Sequence, residues 1–187
     1  MLFRFAWTAV HLDAAQDAWI SDLEVRHFAG SAVYVSASAR RITVQECRSL
    51  EPVSEDGGYR RMTFHTAGQQ TLFLRCRSEK GRHDFTTGHL AAGPNVFLQC
   101  SAETSSSFSG SVGSWASGTL FDNVRLEGAA LRLDNLEIWN QGVGWAAANS
   151  LAWQTSASVI ICRSPPGATN WAAGVRSEEH TSELQSH

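Results

Sequence analysis

A short β-prone run recurs along the middle of this 187-residue chain, and it constrains the fold more than any other feature. Copies begin at Thr71, Asn95 and Thr119, each 24 residues after the last, with further copies at Ile42 and Ser150. Residues 19–25 form a looser copy, and residues 131–139 read as another short strand. No amphipathic helix separates the copies, which argues against a doubly wound α/β sheet. The pattern therefore predicts an all-β solenoid of about six or seven stacked coils.

Stacked coils would bring equivalent side chains into columns with a spacing of about 4.8 Å. The predicted columns are an aromatic one of Phe73, Phe97 and Phe121, a second of Cys47, Cys76, Cys100, Val124 and Thr155, and an outward polar one of Glu46, Arg75, Gln99, Asn123 and Gln154. Free cysteine packs as a small hydrophobe, and the column spacing exceeds what a disulfide requires. We therefore expect the cysteines to be core residues.

Charge and hydropathy narrow the functional classes. The formal net charge is -3 and only 18% of the residues are charged, so we expect no nucleic-acid partner. The chain has no run of eighteen apolar residues, so we expect no membrane span. The four cysteines form no CxxC pair, which argues against a zinc site. No motif indicates a cofactor, although acidic side chains leave Ca²⁺ open.

Several longer motifs carry a family resemblance across most of residues 19–175. They are EPVS (51–54), GYRR (58–61), GRHDF (81–85), GPNVFL (93–98), GTLFDNV (118–124), GWAAAN (144–149) and SPPGATNW (164–171). These motifs resemble bacterial right-handed, single-stranded parallel β-helix proteins of the pectate-lyase-like superfamily. The resemblance implies a secreted or cell-surface protein that is active on polysaccharide, as a lyase or glycoside hydrolase of an acidic glycan. We expect it to be a monomer.

The chain departs from this pattern at positions where some relatives carry histidines. It has Val112, Gly113 and Ser114 before Trp115, and it has Val143 where a further histidine can stand. If those histidines are catalytic, this chain has lost or moved their chemistry. A non-catalytic glycan-binding or cell-surface structural β-helix is therefore the alternative.

Both ends are predicted to be incomplete, so that residues 1–175 form part of a β-helix domain. The sequence RSEEHTSELQSH (176–187) breaks the repeat and resembles a translated sequencing adapter. We expect these residues to be a non-native tail, with a genuine polar tail as the alternative. A third interpretation is that this fragment, without end caps, does not fold alone and aggregates.

Arg82, His83 and Asp84 are the predicted catalytic centre, because they lie together in a glycine-flanked loop. A histidine beside a carboxylate can act as a base near neutral pH. An arginine can neutralise a uronic acid carboxylate, as a lyase requires before it removes the C5 proton. The alternative is a buried polar cluster that fixes the loop.

A second basic loop precedes this one by one coil. Arg60, Arg61 and His65, with Tyr59, are predicted to lie beside the Arg82 loop and to bind an acidic sugar. The alternative is that these are ordinary surface arginines.

Acidic and aromatic residues complete the substrate-binding candidates. Glu79, Glu103 and Glu127 recur at 24-residue intervals, and they would contact carbohydrate or Ca²⁺, or act as an acid/base pair. The alternative is solvated turn glutamates neutralised by Arg77 and Arg125. Further candidates are Asn123, from the outward polar column, and Trp115 and Trp145, from a cluster of tryptophans that also includes Trp139, Trp153 and Trp171. Packing is the alternative role for the tryptophans.

Overall fold

The computed structural model describes residues 7–58 and 60–178. In them, 22 short strands and one four-residue helix form three parallel sheets. Sheet A contains β1 (Thr8–Leu12), β4 (Ser31–Val35), β7 (Met62–Thr66), β10 (His83–Thr87), β13 (Phe108–Ser111), β16 (Ala130–Leu133) and β20 (Val159–Cys162).

The other two sheets have the same order along the stack. Sheet B contains β2 (Gln16–Ser21), β5 (Arg40–Gln45), β8 (Gln69–Leu74), β11 (Ala92–Leu98), β14 (Ala116–Asp122), β18 (Leu151–Trp153) and β21 (Trp171–Ala173), and β17 (Ala147–Ala148) also pairs with β14. Sheet C contains β3 (Glu24–Arg26), β6 (Arg48–Leu50), β9 (Arg77–Glu79), β12 (Ser101–Glu103), β15 (Arg125–Leu126), β19 (Ser156–Ala157) and β22 (Arg176–Ser177).

Each coil supplies one strand to sheet A, one to sheet B and one to sheet C, in that order along the chain. Seven such coils stack in the described residues, and each strand pairs in parallel with its equivalent in the next coil. The all-β prediction of stacked coils is confirmed, and the arrangement fits a parallel β-helix.

The predicted columns are present in the interior. Phe73 pairs in register with Phe97, and Phe97 with Phe121. The rings stack with centroids 4.9 and 5.0 Å apart, and all three side chains are fully buried. Burying aromatic rings of this size contributes a large share of the hydrophobic stabilisation.

The cysteine column is also as predicted. Cys47, Cys76 and Cys100 are buried and unpaired, and they lie in the same interior cluster as the phenylalanines. Burial raises the pKa of the Cys162 thiol to about 11, so this fourth cysteine is also a thiol at neutral pH.

A two-residue turn joins sheet B to sheet C in every coil. Its first residue has a positive φ each time, and it belongs to the outward polar column at Glu46, Arg75, Gln99, Asn123 and Gln154. These five side chains are exposed, as the sequence predicts. The second turn residue points inward and includes the cysteines.

The structure corrects two boundaries. The first copy begins one residue earlier than predicted, since Ala18 pairs with Ile42 and Trp19 with Thr43. The strand expected over residues 131–139 ends at Leu133, and Trp139 begins the short helix α1 (Trp139–Gly142). Strand β22 extends into the segment assigned to the tail, whereas residues 179–187 lie outside the described residues.

Candidate functional site

An aromatic platform lies on the outer face of sheet A. The strand register places His11 beside Tyr34, and Tyr34 beside His65, in three successive coils. His11 meets Tyr34 edge-on with ring centroids 4.9 Å apart, whereas Tyr34 and His65 stack at 5.0 Å with an interplanar angle of 17°. The same repeat that builds the interior thus builds a continuous ring surface outside.

This platform lies in a groove of about 630 Å³, which we call the sheet A groove. Its lining includes His11, Tyr34 and His65 from the strands, with Trp7, His89 and Asn140 around them. His89 belongs to the turn between β10 and β11, against which the next coil packs at Gly113. A Cβ at Gly113 would lie 2.3 Å from the backbone nitrogen of His89, so this wall depends on glycine.

His65 is held in one orientation within the groove. Its Nδ1 is 2.8 Å from the hydroxyl of Thr86, and only 5% of the residue is exposed. Burial lowers the pKa of His65 to about 4, with a smaller contribution from His83. The ring is therefore neutral at neutral pH.

A second cavity of about 180 Å³, the His83 cavity, adjoins the groove and shares Met62, Val112 and Asn140 with it. Arg82, His83 and Trp139 also line it. The arrangement places a guanidinium and an imidazole at one small opening next to the aromatic platform.

The tautomer of His83 follows from its partner. Its Nδ1 lies 2.8 Å from the backbone carbonyl oxygen of Phe108, which only accepts hydrogen bonds. Nδ1 therefore carries the hydrogen, and Nε2 is the basic atom of the neutral ring. Burial lowers the pKa of His83 to about 4. Phe108 and Trp139 hold the ring edge-on, with centroids 4.5 and 5.6 Å from it.

Asp84 does not join His83. Its carboxylate is fully buried and accepts hydrogen bonds from Ser78, Ser105 and, at 3.3 Å, Thr63. Burial raises the pKa of Asp84, although the three hydroxyls oppose this. The geometry matches the alternative of a buried polar cluster, so no carboxylate orients the imidazole of His83 as the sequence-based hypothesis requires.

The two basic loops are adjacent, as predicted, since the backbone nitrogens of Arg82 and His83 donate to the carbonyl oxygen of Arg61. The Arg61 side chain instead donates to backbone carbonyl oxygens of Ser54 and Lys80, and so it braces the loop. Arg60 lies over the ring of Trp7 at 5.8 Å, at the edge of the groove. Tyr59 lies outside the described residues.

The predicted acidic residues lie on sheet C, away from the groove. Glu79 pairs in register with Glu103, and Arg77 forms ion pairs with both carboxylates at 3.1 and 3.0 Å. Arg125 and Glu127 form a similar pair in a later coil. This is the arrangement of the structural alternative, in which arginines neutralise stacked glutamates.

The remaining candidates also lie elsewhere. Asn123 is exposed at the turn between sheets B and C, where it donates to Asp122. Trp115 is 43% exposed at the start of β14, and its backbone nitrogen donates to the carbonyl oxygen of Trp145. Neither tryptophan lines the groove or the His83 cavity.

Sequence reasoning missed half of the platform. His11 and Tyr34 were not singled out, because the spacing along sheet A is irregular: 23 residues separate His11 from Tyr34, and 31 separate Tyr34 from His65. The signal that could have found them is the aligned residue before the last position of β1 and β4.

Comparisons with known proteins found no matching family model, curated protein or solved structure. Within residues 7–58 and 60–178, no helix has the length and apolarity to cross a membrane. The same residues contain no group of three or more histidine, cysteine or acidic side chains placed to hold a metal ion.

Proposed function

We propose that this chain is part of a right-handed parallel β-helix protein of the pectate-lyase-like kind that binds an acidic polysaccharide in the sheet A groove. The observation that carries the proposal is the stack of His11, Tyr34 and His65 along the groove. Parallel strand connections are right-handed in nearly all proteins, which supports the hand of the coil. The protein acts outside the bacterial cell.

A row of rings along a groove suits a chain of sugars. Each pyranose has an apolar face of C–H groups that packs on an aromatic ring, and hydroxyls at its edge that need hydrogen-bond partners. The buried, neutral histidines supply such partners without a charge, and the rings repeat with the coil spacing of about 4.8 Å. The groove thus offers both apolar contact and polar recognition along one direction.

The electrostatics favour an acidic glycan. The described lining of the groove and of the His83 cavity includes no aspartate or glutamate. Arg82 lines the cavity, and Arg60 lies at the groove edge over Trp7. Asp56 is 3.6 Å from the Arg82 Nε, a distance that leaves guanidinium hydrogens for a sugar carboxylate.

Cleavage is the second candidate function, and Arg82 and His83 lining one cavity favour it. In a lyase reaction, Arg82 would pair with the uronate carboxylate while His83 Nε2 takes the C5 proton. The C5 electron pair then forms the C4=C5 double bond as the C4–O bond breaks, and the departing oxygen takes a proton from water. His83 is available as the free base above its pKa of about 4.

Binding is tested by calorimetric titration of the whole chain with oligomers of polygalacturonate and alginate, and with a neutral glucan oligomer. Tyr34→Ala should weaken binding of the acidic oligomer at least about tenfold, a loss of about 1.4 kcal/mol. The matched control Trp115→Ala removes an exposed ring outside the groove and should bind like the wild type. Equal binding by the Tyr34 variant would refute the groove as the site.

Cleavage is tested separately by the ultraviolet absorbance of the unsaturated product. If the chain is a lyase, His83→Ala should abolish product formation while Tyr34→Ala weakens substrate binding. Acidic glycan bound by the wild type without any product would leave the binding proposal standing and remove the lyase mechanism.

A further inference from the structure

The outer face of sheet B carries an apolar stripe that the sheet A groove does not use. Two adjacent outward columns form it. The first column is Trp19, Thr43, Leu72, Val96, Leu120, Leu151 and Trp171; the second is Ser21, Gln45, Leu74, Leu98, Asp122, Trp153 and Ala173. None of the central leucines belongs to the interior cluster. We call this surface the sheet B face.

Tryptophans mark both ends of the sheet B face. Trp19 is 76% exposed in the first coil, whereas Trp153 and Trp171 are 44% and 52% exposed in the last two. Trp171 pairs in register with Leu151, two residues before Trp153, so the two rings are diagonal neighbours on one surface. The strand spacing and rise place their Cα atoms about 8 Å apart. Large exposed rings of this kind are typical of recognition surfaces.

The size of the face excludes a stable protein partner. Seven coils at about 4.8 Å span roughly 29 Å, and two columns are roughly 7 Å wide between their Cα atoms. Even with side-chain width added, the area is about 300 Å², compared with about 800 Å² that each partner buries in a stable protein complex. A long, narrow and flat stripe instead fits a single extended polymer chain.

The charge of the face identifies the class of polymer. Its two columns contain no arginine or lysine, and Asp122 is their one charged residue. A polyanion would find no cation here, whereas a neutral sugar chain could lay its C–H faces on the leucines and tryptophans. We propose that the sheet B face binds a linear neutral polysaccharide with flat apolar faces, such as β-1,4-glucan at an insoluble surface.

This second site is independent of the sheet A groove, since it lies on another sheet. The test is a depletion assay in which the whole chain is mixed with microcrystalline cellulose and the unbound protein is measured. The wild type should bind, and the double variant Trp153→Ala/Trp171→Ala should bind at least about tenfold more weakly. Trp115→Ala is the matched control, because it removes a ring of similar exposure from outside the face.

Each outcome separates the two sites. The double variant should keep its affinity for soluble acidic oligomers, and Tyr34→Ala should keep its affinity for cellulose. Failure of the wild type to bind cellulose, or equal binding by the double variant, overturns the proposal. So does concentration-dependent dimerisation in sedimentation equilibrium that the double variant abolishes, because the face would then be covered by a second copy of the chain.

Discussion

Phe73 and Phe97 are 24 residues apart in the chain, yet their rings stack with centroids 4.9 Å apart and an interplanar angle of 13°. Both are fully buried, and the partners of Phe97 also include Phe121 and Phe85. The contact links neighbouring coils through side chains in addition to the backbone ladder. In a stack of coils, stability depends on such interfaces between nearest neighbours.

Phe97→Ala should therefore lower the free energy of unfolding by about 3–5 kcal/mol, because it opens a cavity between three coils. The measurement is urea denaturation followed by circular dichroism. Leu90→Ala is the control, since Leu90 is 63% exposed and its loss should change stability by less than about 0.5 kcal/mol. Equal effects of the two variants would contradict the interior column.

Asp84→Asn should change how stability depends on pH. The pKa of Asp84 is raised above its ordinary 3.8 by burial, so the folded chain holds this proton more tightly than the unfolded chain. The unfolding free energy of the wild type therefore falls as pH rises from 3.8 through the folded pKa, by about 1.4 kcal/mol for each pH unit of that window. The neutral asparagine should lack this fall.

The Asp84 experiment compares urea midpoints at several pH values for the wild type, Asp84→Asn and Glu55→Gln. Glu55 is exposed, so its variant should follow the wild type. An Asp84→Asn curve that runs parallel to the wild type would show that burial of this carboxylate has no net effect on stability.

The two buried histidines should act in the opposite direction. Burial lowers the pKa values of His65 and His83 from the ordinary 6.5 to about 4, so the unfolded chain binds more protons between these values. Stability should be complete above pH 6.5 and should fall toward pH 4, by about 3 kcal/mol for each histidine. His65→Gln should show less of this acid loss, whereas His27→Gln, at an exposed histidine, should not. Imidazole NMR titration measures the two pKa values directly.

Glu103→Gln should leave both stability and glycan binding nearly unchanged. Its ion pair with Arg77 joins side chains that are 40% and 46% exposed, and such surface pairs contribute about 0–1 kcal/mol. Thermal unfolding and the calorimetric titration with acidic oligomers both test this expectation. A large loss of glycan binding would instead support the sequence-based assignment of Glu103 to the substrate.

Much of sheet B could be predicted because its coils repeat with a fixed spacing. The turn after it always has two residues, so identical offsets bring Phe73 over Phe97 and Cys76 over Cys100. Sheet A could not be aligned in the same way, because it follows connections of variable length. The segment before β7 has eleven residues, whereas the one before β10 has three.

The candidate site was only partly predictable for a related reason. His65, Arg82 and His83 were identified from residue type and local position, and they lie in or beside the groove. The direction of Asp84 depends on hydroxyls from other coils, Ser78 and Ser105, which no local pattern reveals. Neighbouring residues can face different surroundings, and tertiary contacts decide which.

The two-residue turn between sheets B and C has a further consequence for how such a chain can change. Its first residue is always left-handed and its second always fills the interior, so one added residue there would tilt the following strand out of alignment. The other two corners already tolerate segments from one residue to seventeen. New loops, and hence new specificities, can therefore be grafted at those corners, on either side of the groove, while the corner opposite them acts as the hinge pin of the scaffold.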